Sequence, residues 1–220
     1  MPRALTVLCL LPLLAFGHWA LDFDEDFAAA AEPVTLTFEY VSTYPATITI
    51  GWTTYGQPAD PSKALVDAGD GVFVPWTSNT ITVKGKRIRF RGDWRNSSGN
   101  FRELFYGTFA GGHNVTMSGG FDFSGAPANY MFYNTFYNCS NLTGSIPVGL
   151  FGDISGAPAG YMFNSTFRGC SKLTGESALM PDGTTHLYEQ FSTASGTDCD
   201  NCYLGATGLD DYDDIPAEWK

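Results

Sequence analysis

"SGAPANYMFYNTFYNC" (residues 124–139) and "SGAPAGYMFNSTFRGC" (residues 155–170) are one text written twice, 31 residues apart and identical at 11 of 16 positions without a gap. Constant spacing means constant geometry, so this pair decides how the C-terminal half is expected to fold. Aligned in full, the unit reads Asp, apolar, S-G-A-P-A, x, Y-M-F, x-x, T-F, x-x, C-S, x, L-T-G, from Asp122 to Gly144 and again from Asp153 to Gly175. Pro127 and Pro158 suit the first turn of a helix, where no backbone N–H is required, and Ser124 or Ser155 just upstream suits its cap. Phe132, Phe136, Cys139 and Leu142, with their copies Phe163, Phe167, Cys170 and Leu173, then follow helical steps onto one face. A unit of one short helix and one short strand ("LTGSIP") cannot cover that face by itself, so stacked neighbours are required. Upstream, "LFYGTF" (104–109) resembles "MFYNTF" at a shorter spacing. Downstream, "NCYLGATG" (201–208) keeps Leu204 at the repeat distance from Leu173 and reads as a degenerate capping repeat.

Working outward toward the N-terminus, the pattern changes to strands. "VTLTFEYV" alternates Val34, Leu36, Phe38 and Tyr40 with polar neighbours, and "ATITIGW" does the same with Ile48, Ile50 and Trp52. "GVFVPW", the two runs of "NTITVKGKRIRFRG" about Gly85, and "HNVTMSGG" supply further short strands between frequent turn signals. Residues 34–120 are therefore expected to form an antiparallel, sandwich-like β-domain, 121–178 the two repeats, and 179–220 the cap and tail.

The unit "TFYNCSNLTGSIP" resembles the BspA-type leucine-rich repeat of bacterial secreted and cell-surface proteins, whose core pattern is A-F-x-x-C-x-x-L-x-x-I-x-I-P. The similarity covers residues 104–208. Two departures are visible: Thr135 and Thr166 replace the usual Ala, and the second unit continues as "ESALMPDG" where the first has "SIPVGLF". The resemblance implies an α+β protein in which the antiparallel β-domain is followed by a short leucine-rich-repeat-like solenoid with a C-terminal capping repeat. It also implies exposure outside the cell, adhesion or ligand binding as the role, and no catalytic residues.

The N-terminus agrees with export. "MPRALTVLCLLPLLAFG" sets Arg3 before an apolar run too short to span a bilayer, the signature of a secretory signal over residues 1–17. Cleavage fits after Gly17 or, alternatively, near Ala30, and residues 18–33 form an acidic, Ala-rich leader. No second long apolar stretch follows, so no transmembrane segment is expected in the mature chain. The net charge of −11 disfavours nucleic acid as a partner. Cys139 and Cys170 occupy equivalent repeat positions and read as small hydrophobes. Cys199 and Cys202, in "TDCDNCY", read as a local disulfide or as two inert thiols, because no second ligand pair accompanies them.

Neither His113 nor His186 has a cysteine or carboxylate at metal-ligand spacing, and no nucleophile elbow, H-E-x-x-H helix or phosphate loop occurs, so no catalytic, cofactor or metal residue is assigned. Two surface features remain. Arg87, Arg89 and Arg91 alternate with Ile88 and Phe90, which puts three guanidinium groups on one strand face, either a solvated, charge-protected surface or a contact for an anionic ligand. Tyr133 and Tyr137 become Asn164 and Arg168 in the second copy: variable side chains on a fixed frame, as in a recognition surface or in ordinary exposed positions. Tyr130 and Tyr161, unchanged between copies, are expected to pack. The leading expectation is a non-enzymatic binding or adhesion module for an extracellular protein or glycan. A secreted hydrolase or carbohydrate-processing accessory using acidic residues, and a structural surface component, are the alternatives.

Overall fold

The computed structural model describes residues 35–220. The signal segment, the leader and both cleavage positions lie outside the described residues. Alternation builds the first strands where it occurs in the sequence. In β1 (Thr35–Tyr40), Leu36, Phe38 and Tyr40 are buried while Thr35 and Glu39 face solvent. β3 (Ala64–Asp67), β4 (Val74–Pro75), β6 (Arg87–Gly92) and β7 (Val115–Gly120) join it in a five-stranded sheet of order β4-β3-β6-β1-β7, every pairing antiparallel. The register sets Phe38 opposite Ile88 and Met117, and Leu36 opposite Phe90, so one face of the sheet is apolar throughout. A second pair, β2 (Thr47–Thr49) with β5 (Thr80–Thr82), sets Ile48 opposite Ile81 and contributes both to the same core, giving a sandwich-like arrangement.

The two copies depart from expectation. Neither forms a helix: among the described residues the sole α-helix is α1 (Leu187–Gln190), one turn long. Each copy is a run of tight turns in which N–H groups alternate between two uses. Tyr133, Thr135, Tyr137 and Cys139 donate to the carbonyl three residues back, while Phe132, Asn134, Phe136 and Asn138 donate to Met162, Asn164, Thr166 and Arg168 of the second copy. The second copy passes the pattern on, with Phe163, Ser165, Phe167 and Gly169 donating to Asp198, Asp200, Cys202 and Leu204. Phe132 stacks on Phe163 at 5.5 Å and Phe136 on Phe167 at 5.4 Å. A helix would satisfy each N–H internally; here half of them require the neighbouring segment.

The α+β class, with a helix-and-strand solenoid attached to a β-domain, is therefore corrected. The described chain is a mainly antiparallel β protein with turn-built segments. Regular strand within the copies is limited to the two-residue pair β8 (Ser124–Gly125) and β9 (Asp153–Ile154), which is parallel. One buried cluster holds the sheet's Leu36, Phe38 and Phe90 together with Phe132, Phe163 and Trp219, so the copies and the sheet share a core.

Two alignments are corrected as well. Upstream, Phe101 stacks on Phe132 and Phe105 on Phe136, both at 5.5 Å, so the earlier segment sits at the full 31-residue spacing rather than a shorter one. Downstream, Tyr203 stacks on Phe167 at 5.6 Å, and Asp210 N–H donates to Gly175, so Leu209 rather than Leu204 follows Leu173. Thr135 and Thr166 also find their reason. Each hydroxyl is buried within hydrogen-bond reach of the preceding segment, Thr135 of Phe101 O at 3.0 Å and Thr166 of Phe132 O at 2.8 Å, the latter proton shared with Phe163 O at 2.8 Å, contacts that Ala cannot make. Cys139 and Cys170 repeat the device with Sγ donating to Phe105 O and Phe136 O.

Candidate functional site

The same stacking that buries the phenylalanines lines up what lies on their flanks. Tyr106 rests on Tyr137 with rings 4.9 Å apart and 5° from parallel, and Arg168 of the second copy continues that column, its guanidinium 5.7 Å from the Tyr137 ring. Tyr130 rests on Tyr161 in the same way at 4.8 Å, and Tyr133 meets Tyr130 edge-on at 5.6 Å.

Arg102, the first-segment equivalent of Tyr133, ties the face together. Its guanidinium carbon lies 3.9 Å from the ring centre of Tyr55 and 4.9 Å from those of both Tyr130 and Tyr133. Nε donates to Glu103 Oε1 at 3.1 Å. The other Glu103 oxygen accepts the Thr53 hydroxyl, which anchors the loop carrying Tyr55. Gly51 N–H donates to Leu104 O and Asn96 Nδ2 to Tyr55 O, securing that loop on both sides. Gly56 lets it approach so closely: a Cβ there would stand 2.6 Å from Glu103 O. Tyr55 remains 54% exposed and Trp52, on the same loop, 65%.

Three residues of this region share the left-handed conformation that recurs through the stacked segments. Glu103, Tyr130 and Tyr161 hold φ of 58°, 62° and 60°, the left-handed region in which residues with bulky side chains are uncommon. Burial, and secondarily the neighbouring Tyr137, raises the Tyr106 phenol above its ordinary value, so it stays a neutral donor.

The expected site residues separate into two groups. Tyr133, Tyr137 and Arg168 belong to this face, all half-buried rather than freely solvated. Asn164 lies on the layer beside them, with Nδ2 donating to Thr197 O at 3.4 Å and Oδ1 accepting from Ser165. Arg87, Arg89 and Arg91 do share one face of β6, and acids of the adjoining strands meet them: Arg87 with Glu39 at 2.9 Å and Arg89 with the buried Asp67 at 2.7 Å. Arg89 and Arg91 also flank the Phe73 ring, at 4.8 and 5.8 Å.

Three contributors escaped the sequence reading. Tyr106 and Arg102 were legible once Phe101 and Phe105 are set at the repeat spacing. Tyr55 had no local signal, since only the loop's docking brings it to Arg102. All four described cysteines are free and buried, which resolves Cys199 and Cys202 as thiols in this structure. Among the described residues no helix is long and apolar enough to cross a membrane. No family model, curated protein or solved structure matches the chain.

Proposed function

We propose that this chain is a non-enzymatic binding module acting outside the cell, with the tyrosine–arginine face as its contact surface for a protein or glycan. The observation that carries the reading is Arg102 caged by Tyr55, Tyr130 and Tyr133 beside the stacked Tyr106–Tyr137–Arg168 column. Tyr and Arg are the side chains that anchor interfaces, and here neighbours already restrict their rotamers, so little freedom remains to be lost on binding. The amphipathic rings present hydroxyls and apolar edges together, which suits both sugar and protein surfaces. The likeness of "TFYNCSNLTGSIP" to a repeat of bacterial surface proteins, and the apolar N-terminal run, support the extracellular setting.

The test is a binding screen of the secreted chain against glycans and host matrix proteins, repeated with Tyr133→Ala, Tyr137→Ala, Arg168→Ala and the triple replacement of Arg87, Arg89 and Arg91. Each single change is expected to weaken a hit by about 1–2 kcal/mol, roughly five- to thirtyfold, with the triple variant unchanged. Loss confined to the triple variant moves the site to β6, and unaltered binding in all four removes the tyrosine–arginine face.

A further inference from the structure

Sequence spacing hides one convergence. Glu176, His186 and Asp211 come from three separate segments, yet one ligand-type atom from each lies within 4.8 Å of the others. The hydrogen bonds around them determine which imidazole nitrogen carries the proton. Asp211 is almost fully buried and receives two bonds from Ser177, N–H to Oδ1 at 2.8 Å and the hydroxyl to Oδ2 at 2.6 Å. A hydroxyl has one proton, and a carboxylate oxygen only accepts, so the Ser177 proton is committed to Asp211. Ser177 Oγ also lies 2.9 Å from His186 Nδ1 and must accept there, which assigns the ring hydrogen to Nδ1. In the neutral ring Nε2 then keeps its lone pair.

That lone pair has Glu176 Oε2 as its charged neighbour, at 3.9 Å. Two acceptors at this distance call for a donor or a cation between them. The ring plane is held by stacking on Tyr188 at 4.9 Å and 10°.

We propose that His186 Nε2 and the Glu176 carboxylate bind a divalent transition-metal ion of the zinc class, with Asp211, acting through Ser177, as the outer group that fixes the imidazole. An imidazole nitrogen paired with a carboxylate suits zinc and disfavours calcium or magnesium, which take oxygen ligands. A ligating histidine whose second nitrogen donates into a carboxylate-terminated chain is the usual outer arrangement of such sites. The half-exposed Glu176, at 53%, can move the short distance that coordination requires, and the remaining positions stay open for water or a partner's donor. The site involves none of the tyrosine–arginine residues, so it stands or falls independently of the binding surface.

The experiment uses the full chain stripped with a chelator and titrated with zinc chloride, followed by calorimetry and thermal melting, with calcium chloride as the control. Zinc is expected to bind and raise the melting temperature while calcium does neither. Glu176→Gln should weaken zinc binding by about tenfold or more. His186→Asn keeps an N–H near the Nδ1 position to serve Ser177 but removes Nε2, and should abolish the zinc response. If the asparagine variant does not fold without metal, the half-exposed Glu176→Gln decides alone. Three results overturn the proposal: no zinc response in the unaltered chain, an equal response to calcium, or unweakened zinc binding by Glu176→Gln.

Discussion

Asn138 holds φ at 57°, and the residues aligned with it in the other segments, Gly107, Gly169 and Gly205, hold 63°, 78° and 80°. Each stacked segment reaches the left-handed region at this point, and the sequence supplies Gly, Asn, Gly and Gly, the residue types that enter it at least cost. The Asn138 side chain is exposed, so a substitution there tests backbone conformation with little burial change. Asn138→Gly should leave stability within a few tenths of a kcal/mol, while Asn138→Val should cost about 1–2 kcal/mol. Urea midpoints at constant slope measure both. Equal midpoints would mean that the turn does not depend on this conformation. Tyr130 and Tyr161 occupy the same region with bulky side chains, and the stacking of their rings accompanies that cost.

At the level of the element, the stacked segments explain both what the sequence disclosed and what it concealed. The period of 31 and the identity of the core residues were plain, because Phe132, Phe136 and Cys139 and their copies are buried as a set. The helix was the wrong inference from the right residues. Steps of four and three satisfy a helical face, but they equally satisfy a chain of turns whose left-handed points recur every four residues, at Tyr130, Asn134 and Asn138. Asn134 and Asn138, with Ser165 and Gly169 in the copy, were the available signal, since all four weaken a helix interior. The same internal period of four misplaced the upstream segment, because Phe101, Phe105 and Phe109 offer interchangeable registers until the stacking selects one. Strands were easier to read, as in β1, since alternation over one solvated and one buried face has no competing interpretation. Of the binding face, the tyrosines within the copies were legible, whereas Arg102 needed the correct register and Tyr55 a contact no local pattern encodes. The partition of N–H groups makes a direct prediction. Ending the chain at Thr197 removes the acceptors of Phe163, Ser165, Phe167 and Gly169 and uncovers two phenylalanine rings. Each orphaned N–H on a newly exposed edge regains only water, and the rings lose the cover of Tyr203 and Trp219. The shortened chain should lose its cooperative thermal transition by circular dichroism; a sharp transition near that of the intact chain would show that the last segment is dispensable.

Across the whole molecule, one path of aromatic contacts joins sheet to C-terminus: Phe38 to Phe105 at 5.0 Å, Phe105 to Phe136 at 5.5 Å, Phe136 to Phe167 at 5.4 Å, Phe167 to Tyr203 at 5.6 Å, and Tyr203 to Trp219 at 6.3 Å. Along this core lie weak acids that are neutral when buried. Burial pushes the Cys139 thiol up from 9.0 to about 12, and raises Cys170 and Cys202 well above the same starting value. Tyr203 moves well above 10.0 for the same reason, and Tyr40 goes to about 12. In every case the folded chain holds its proton more tightly than the unfolded chain does. The Cys139 contribution to stability is therefore complete below its unfolded value of 9.0 and declines as pH rises toward the folded value of about 12, and the other groups begin the same decline at their own unfolded values, 9.0 for the thiols and 10.0 for the tyrosines. Each group that ionises only on unfolding steepens the decline by about 1.4 kcal/mol per pH unit. Urea midpoints should thus fall steeply above about pH 9, while thiolate absorbance measured without denaturant stays low until the fold is lost. Replacing Cys170 with Ala should lower overall stability through the lost Sγ bond to Phe136 O and at the same time flatten the alkaline slope by one proton. Thiolate signal that develops while the near-ultraviolet circular dichroism remains native would show that water reaches these sulfurs in the folded state, and that the copies do not share the dry interior that their stacking implies.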